Sequence, residues 1–289
     1  MQQLPPSRIA AIHDLSCVGR CALTVIIPVL SVMGYQTIPV PTAFLSTHTG
    51  GFTDLHFRDL TDDMHAVIEH FSKLEMNFGA IYTGFLGSEL QIRTVKEFIE
   101  RFGCVRDESG KMPLILIDPV MGDDGVLYST YTPELVAGMR ELSAHAHVLT
   151  PNLTEACLLT DAPYRDTERM PAEEAEAFVR SLLKKLERFG CERIVITGVS
   201  LCNGIVLNLG KDADGTIFSV ARKQIGVSYP GTGDIFASVL LGMLLAGNTF
   251  ENACQSAADF VGTLIEASAK IDTPTRMGVA LEPHLAKLI

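Results

Sequence analysis

Basic residues are in short supply: 23 Lys and Arg stand against 34 Asp and Glu, for a formal net charge of -11. A surface that acidic disfavours nonspecific binding to nucleic acid or anionic membrane, because both need basic patches. It leaves an anionic substrate open, since a local site can oppose the global field. Cys-x-x-Cys is also missing. The seven cysteines, at 17, 21, 104, 157, 191, 202 and 254, are odd in number and scattered. They read as reduced thiols of a cytoplasmic protein rather than as disulfides or a zinc site. No apolar run is long enough to span a bilayer; VIIPVLSVM is short and contains Pro28. The start, MQQLPPSRIAAIHD, lacks a basic stretch followed by a long apolar one, so no signal peptide is expected. There is no G-x-x-x-x-G-K-[ST] loop, and Gly84-Phe85-Leu86-Gly87 lacks the dinucleotide fingerprint spacing. P-loop and NAD-binding Rossmann chemistry are therefore set aside. No Pro-, Gly- or Ser-rich linker, internal repeat or low-complexity tract divides the chain, which reads as one domain over 1–289.

What is present is an ordinary globular composition over 289 residues, 47% hydrophobic and 20% charged, with ample room for a core. Short apolar runs alternate with longer helical patterns. The expected strands are 8–13, 36–45, 80–84, 114–118, 147–150 and 193–197, nearly continuous in apolar character, as in strands covered on both faces. Helices are expected near 20–33, 61–76, 88–102, 132–143, 152–160, 171–189, 233–246 and 250–269. A hairpin fits 203–221, with Gly210 to Gly215 as its turn. This alternation predicts an α/β fold with a doubly wound, mostly parallel sheet. In such sheets ligands sit at the carboxyl ends of the strands.

Four segments follow strands or open helices in this way. LILIDPVMGDDGVLY (114–128) puts Asp118 at a strand end, with further carboxylates at 123 and 124. It reads either as a solvated acidic turn or as a Mg²⁺ site, since Mg²⁺ is held by one or two carboxylates plus substrate phosphates. HVLTPNLTEACLL (147–159) puts Asn152 and Glu155 in a helical first turn, three apart and on one face. They form a plain cap or a second contribution to the same metal. RIVITG (193–198) ends in Thr197, which finishes the strand or contacts phosphate. SYPGTGDIFASVLLG (228–242) carries Gly231-Thr232-Gly233 into Asp234 and an apolar helix. Free N–H groups at that helix start make an anion cradle. A carboxylate there caps the helix or takes a proton from an attacking hydroxyl.

With these residues in hand, the chain resembles the ribokinase superfamily and, within it, the pyridoxal (pyridoxine, pyridoxamine) kinases. The resemblance runs from Ile9 to about Ala269 and rests on three motifs in the family's order: Asp118-Pro119-Val120-Met121-Gly122, Thr150-Pro151-Asn152-Leu153-Thr154-Glu155 and Gly231-Thr232-Gly233-Asp234. It implies ATP-dependent phosphorylation of a substrate hydroxyl, with Asp234 as base and 231–233 as anion hole. It implies Mg²⁺ organised by Asp118 and Glu155. Asp123, Tyr128, Thr150, Asn152 and Thr197 match phosphate-side positions, and Ile225 and Tyr229 match positions lining the nucleotide pocket. A monovalent cation such as K⁺ and a homodimer are common in the family.

The substrate side rests on the N-terminal half. Ser16 follows the first strand where pyridoxal kinases have a serine that contacts the ring substituents. LSTHTGGF (45–52) resembles their Ser-Asn-His-Thr stretch and implies that His48 and Thr49 reach the vitamin. Phe85 stands where many members have a tyrosine that packs on the ring, and Gly19-Arg20-Cys21 replaces a longer Gly-Asn loop. Sugar kinases carry an early Gly-Gly and Asn pattern and lid strands, neither of which is evident. Hydroxymethylpyrimidine kinases usually read Gln-Asn-Thr at Thr47-His48-Thr49, and often Gly-Thr-Gly-Cys where this chain has Asp234. The expectation is therefore a B6 vitamer kinase without a separate lid domain. The alternatives are a hydroxymethylpyrimidine kinase of thiamine biosynthesis and a non-catalytic pyridoxal phosphate-binding protein.

Overall fold

A computed structural model describes residues 7–289. The first six, which begin the stretch read for a signal peptide, lie outside the described residues. The strands are β1 (Arg8–Val18), β2 (Gln36–Thr47), β3 (Phe57–Asp59), β4 (Ala80–Thr83), β5 (Leu114–Ile117), β6 (Gly122–Asp123), β7 (Val126–Leu127), β8 (Val148–Leu149), β9 (Arg193–Leu201), β10 (Ile205–Lys211) and β11 (Ile217–Lys223). The helices are α1 (Leu23–Val32), α2 (Thr61–Lys73), α3 (Glu89–Phe102), α4 (Pro133–Ser143), α5 (Leu153–Thr160), α6 (Ala172–Leu186), α7 (Thr232–Leu245) and α8 (Phe250–Lys270).

Nine strands form one sheet in the order β11-β10-β9-β8-β5-β4-β1-β2-β3, and β6 pairs with β7 in a separate two-residue ribbon. The six strands from β9 to β2 are parallel; β10, β11 and β3 join antiparallel at the edges. Alternate residues of the central strands feed two cores. Ala10, Ile12, Ile81, Ile115, Ile117, Leu149, Ile194 and Ile196 pack with α2 to α6. Ile9, Ala11, Ala80, Tyr82, Leu116, Val148 and Val195 pack with α1, α7 and α8. The period of two thus explains why these runs are apolar on both faces.

The expected strands and helices are present, with additions and shifts. β1 runs on past 13 to Val18, because it keeps pairing with β2 through a register shift, so Ser16 lies within the first strand rather than after it. The short edge strand β3 and the β6–β7 ribbon carry too few apolar residues to signal themselves. Gly210 lies inside β10 rather than in the turn, and a Cβ there would meet the Phe218 ring at 2.3 Å. Among the described residues no helix is long and apolar enough to cross a membrane. All seven cysteines are free.

Register sets where the loops open. Ile12 lies beside Thr83, Thr83 beside Ile117, Ile117 beside Leu149 and Leu149 beside Ile194. The segments that follow these residues therefore share one sheet edge. Chain direction across the sheet reverses at β1, with β2 on one side and β4 on the other, the topological switch at which ligands bind in such sheets.

Candidate active site

Asp234 lies in the first turn of α7, yet it does not cap that helix. Gly231 occupies the N-cap at φ 80° with no side-chain cap bond, and the first intrahelical bond runs from the Ile235 N–H to the Gly231 carbonyl. The N–H groups of 232–234 are therefore left facing out of the helix end. Glycine is required at 231: an added Cβ would sit 2.0 Å from the Arg20 carbonyl oxygen. The Asp234 carboxylate instead accepts a 2.8 Å hydrogen bond from the Ala22 N–H, 212 residues away. Ala22 adopts φ 48°, ψ -136°, a conformation that L residues rarely hold, and this presents its N–H to the carboxylate. The Asp234 side chain is 16% exposed, at the floor of the edge. Burial, then the charge of Asp14, push its carboxyl up to about 7, opposed by the Ala22 bond.

The β5 and β8 motifs meet beside it. Asp118, buried, accepts from the Thr150 hydroxyl at 3.2 Å. Burial and the Asp234 charge push its carboxyl up to about 8. Asn152 and Glu155 form a capping box on α5, and Glu155 also accepts from the Met121 N–H at 3.2 Å. The Asn152 amide donates to the Gly122 carbonyl at 2.8 Å, and the Thr154 hydroxyl accepts from the Gly125 N–H at 2.8 Å. The β6–β7 ribbon is thereby pinned to the start of α5. Glu155 is both a cap and a buried acid, held well above the usual carboxylate range by burial and by Asp118.

Besides burial, the charge of Asp234 raises the proton affinity of Asp118, that of Asp118 raises that of Glu155 and that of Asp14 raises that of Asp234, and no cationic side chain figures among the causes. Oxygen donors that repel one another suit a hard divalent cation. Among the described residues, however, no group of three or more His, Cys, Asp or Glu converges as a complete cage. A cation here would need further oxygens from a ligand, which fits Mg²⁺ with phosphates better than a structural metal.

Farther along the edge, Thr197 bridges to Asn152, and its N–H donates to the Pro151 carbonyl. The adjacent Gly198 N–H donates to Asn208 at 3.0 Å. Asp123 and Tyr128 lie at the exposed ribbon, and Ile225 is half-buried after β11. Tyr229 is buried in the core with α7 and α8, its hydroxyl 3.5 Å from the Thr273 carbonyl, and does not stand open on the edge.

The opposite end of the edge is built from the end of β1 and from the loops that follow β2 and β4. The Ser16 hydroxyl, buried, donates to Asp14 at 2.8 Å. His48 accepts at Nδ1 from the Gly50 N–H at 3.0 Å, so its Nε2 carries the proton and donates to the Arg276 carbonyl at 2.6 Å. Both ring nitrogens are thus engaged by protein. Its ring also fills the notch at Gly19, where an added Cβ would lie 2.2 Å away, and packs edge-on against Phe52, over which Arg276 stacks. Thr49 is exposed, and Phe85 is half-buried with its ring 6.4 Å from that of Tyr131.

Sequence reasoning passed over Asp14, His13 and Ala22. The signal for the first two was a His-Asp pair ending the apolar run IAAI. Nothing in the sequence marks an alanine whose value lies in its φ.

The sequence model of the phosphomethylpyrimidine kinase family matches residues 26–277. The chain belongs to this family. A Bacteroides thetaiotaomicron protein, provisionally named a phosphomethylpyrimidine kinase and solved in a crystal form with pyridoxal, is 40% identical. It superposes with a TM-score of 0.87 over 98% of this chain and 96% of that one. Pyridoxal kinase from Lactobacillus plantarum is 30% identical, with a TM-score of 0.85 over 98% and 96%. The pyridoxine/pyridoxal/pyridoxamine kinase of Bordetella avium is 27% identical over 282 residues, covering 94% of this chain and 88% of its own. The ribokinase-like α/β architecture and the kinase class expected from the motifs agree with these relatives.

Proposed function

We propose that the chain, as one kinase domain, transfers the γ-phosphoryl group of ATP to the hydroxymethyl group of a B6 vitamer, as in pyridoxal phosphate salvage. The observation that carries this is the placement of Asp234. Its carboxylate is recessed, anchored by the Ala22 N–H and poised near neutrality, immediately beside outward-facing N–H groups of α7. A carboxylate alone would repel phosphate; paired with a donor cradle it suits a base acting on an alcohol. As the alcohol oxygen bonds to the γ-phosphorus, the bond from phosphorus to ADP breaks and the hydroxyl proton passes to Asp234. The N–H groups left free at the start of α7, those of 232 and 233 in the predicted anion hole among them, receive the charge that develops on the phosphoryl oxygens.

Asp118 and Glu155 would hold Mg²⁺, which when bound neutralises phosphate charge. Thr150, Asn152, Thr197, Asp123 and Tyr128 would line the phosphate side, and Ile225 the base side. Tyr229 would support that wall from beneath. Ser16, His48, Thr49 and Phe85 would receive the vitamin; with His48 bonded at both nitrogens, it acts there by shape and by holding its loop. A K⁺ ion and a homodimer belong to the same reading.

The B6 choice is supported by the 40% identical relative crystallised with pyridoxal. A second reading, hydroxymethylpyrimidine kinase, is favoured by the name of the matching family. The test is ADP release with Mg·ATP and pyridoxal, pyridoxine, pyridoxamine or hydroxymethylpyrimidine in turn, with the product identified by mass. The highest kcat/KM on a B6 vitamer supports the first reading, and on the pyrimidine the second. Binding of pyridoxal phosphate with no ADP release on any of the four would favour a non-catalytic binder.

A further inference from the structure

His13 is a fully buried imidazole with no hydrogen-bond partner at either ring nitrogen. A buried polar ring left unpaired destabilises a fold by roughly 1–3 kcal/mol, so its retention calls for a reason. Three features of the backbone are built around it. The β1–β2 ladder shifts register between His13 and Leu15, a bulge of the kind that re-aims a side chain next to an active site. Gly84, just past β4, leaves the space the ring occupies: a Cβ there would lie 2.2 Å from both Cε1 and Nδ1. Tyr82 packs edge-on against the ring at 4.3 Å between centroids. The ring so held has its Nδ1 4.0 Å from Oδ1 of Asp234. Burial keeps the imidazole neutral, its proton affinity lowered to about 3.

We propose that His13 is a positioning residue for Asp234: its Nδ1–H closes on Oδ1 when the alcohol binds, while the Ala22 N–H holds Oδ2. The closure needed is about 1 Å, from the present separation to ordinary hydrogen-bond distance. Two donors from β1 and its following loop then fix the plane of the carboxylate, and its remaining lone pairs face the alcohol. The inference rests on Asp234 acting as base. The other groups around Asp234 do not supply this contact. Asp14 on β1 and Asp118 after β5 are coupled to it through charge, and the thiol of Cys21, a weak donor, makes no hydrogen bond to it. The Tyr82 hydroxyl, 3.5 Å from the Asp234 carbonyl, faces the backbone, and Tyr128 feels the carboxylate only through its charge.

The direct test is ¹⁵N NMR of His13 in the full-length protein, free and with pyridoxal and a non-hydrolysable ATP analogue. The expected result is a neutral ring protonated at Nδ1, with the proton moving downfield in the complex. A ring protonated at Nε2 overturns the proposal, whatever any variant does. Kinetics give a second reading. His13→Leu removes the donor, and kcat should fall between about 10- and 100-fold, the scale of a misplaced catalytic group, with KM for both substrates unchanged. An anion that loses a donor binds its proton more tightly, so the acid limb of the kcat profile should move to higher pH. Because the variant also removes two unpaired polar atoms, its Tm should not drop. His13→Asn, which carries an amide group at the Nδ1 position, should recover most of kcat. Wild-type kcat and an unmoved acid limb in His13→Leu, with Asp234→Asn inactive, overturn the role of His13 alone. Wild-type turnover in Asp234→Asn overturns the base assignment, and with it this inference.

Discussion

The two halves of the cleft edge are made differently. On the phosphoryl side, Asp118, Thr150, Asn152, Glu155 and Asp234 follow strands directly or open helices, and each carboxylate accepts from a named N–H or hydroxyl. On the vitamin side, Ser16 lies within β1, but His48, Thr49 and Phe85 stand on loops, the first of them tied to a distant part of the chain. His48 reaches Arg276, 228 residues on, and Thr49 is exposed. The contrast separates two tasks. Phosphoryl transfer needs charges fixed to a fraction of an ångström, and rigid elements supply that. Choice of acceptor is set by loops, which can change without disturbing the chemistry.

If that division holds, changes on the rigid side should abolish turnover and changes on the loop side should move KM. The largest effect is expected from Gly231→Ala. Its Cβ would press on the Arg20 carbonyl and displace both the anion cradle and the loop that presents the Ala22 N–H. The kcat should fall by at least the ~10²–10³-fold associated with a lost oxyanion donor; steady-state assay at saturating substrates checks it. Asp118→Asn should lower kcat by at least about 10-fold, the scale of removing a group around a metal, while raising the Tm of the free protein. The sign follows from the raised carboxyl. The folded form holds a proton up to about pH 8, whereas the unfolded chain releases it near 3.8, so stability falls as pH rises through that interval. Thermal melts at pH 5 and pH 8 should show the wild type losing Tm over that range and Asp118→Asn losing less.

On the loop side, His48→Ala removes two hydrogen bonds that join the 48–52 loop to the C-terminal segment. At about 1 kcal/mol each, KM for the vitamin should rise by roughly 10-fold or more with kcat little changed. Arg276→Ala leaves those bonds and removes only the stacking on Phe52, 5.3 Å from the ring centroid. A contact of that kind is worth about 0.5–1 kcal/mol, so KM should rise only ~2- to 5-fold. A kcat loss in either loop variant as large as that of Asp118→Asn would erase the distinction between the halves.

The same contrast explains how much could be read in the sequence. The alternation of apolar runs with helical periods gave the parallel sheet, because strands covered on both faces leave a continuous signature. Asp118, Asn152, Glu155 and Asp234 were legible because each sits a fixed step past a strand or inside a helix start. His48 was legible as a residue of interest, but its partners were not: a carbonyl at 276 and a notch at Gly19 are tertiary facts. Ala22 and Gly84 act through backbone shape, which has no compositional mark at an alanine. Tyr229 shows the opposite error, a position matched to a pocket wall whose side chain is packed into the core.

The central claim is that Asp234 is the base for phosphoryl transfer to a B6 vitamer. The most direct measurement is single-turnover transfer from Mg·ATP to pyridoxal, with enzyme in excess, for wild type and Asp234→Asn between pH 5 and 9. Since the base must be ionised and its carboxyl is raised to about 7, the wild-type rate should climb tenfold per pH unit below that value and level off above it. Asp234→Asn should be slower by about 10²–10⁴-fold and should lose that limb. Equal rates in the two proteins, with the same pH dependence, would contradict the account.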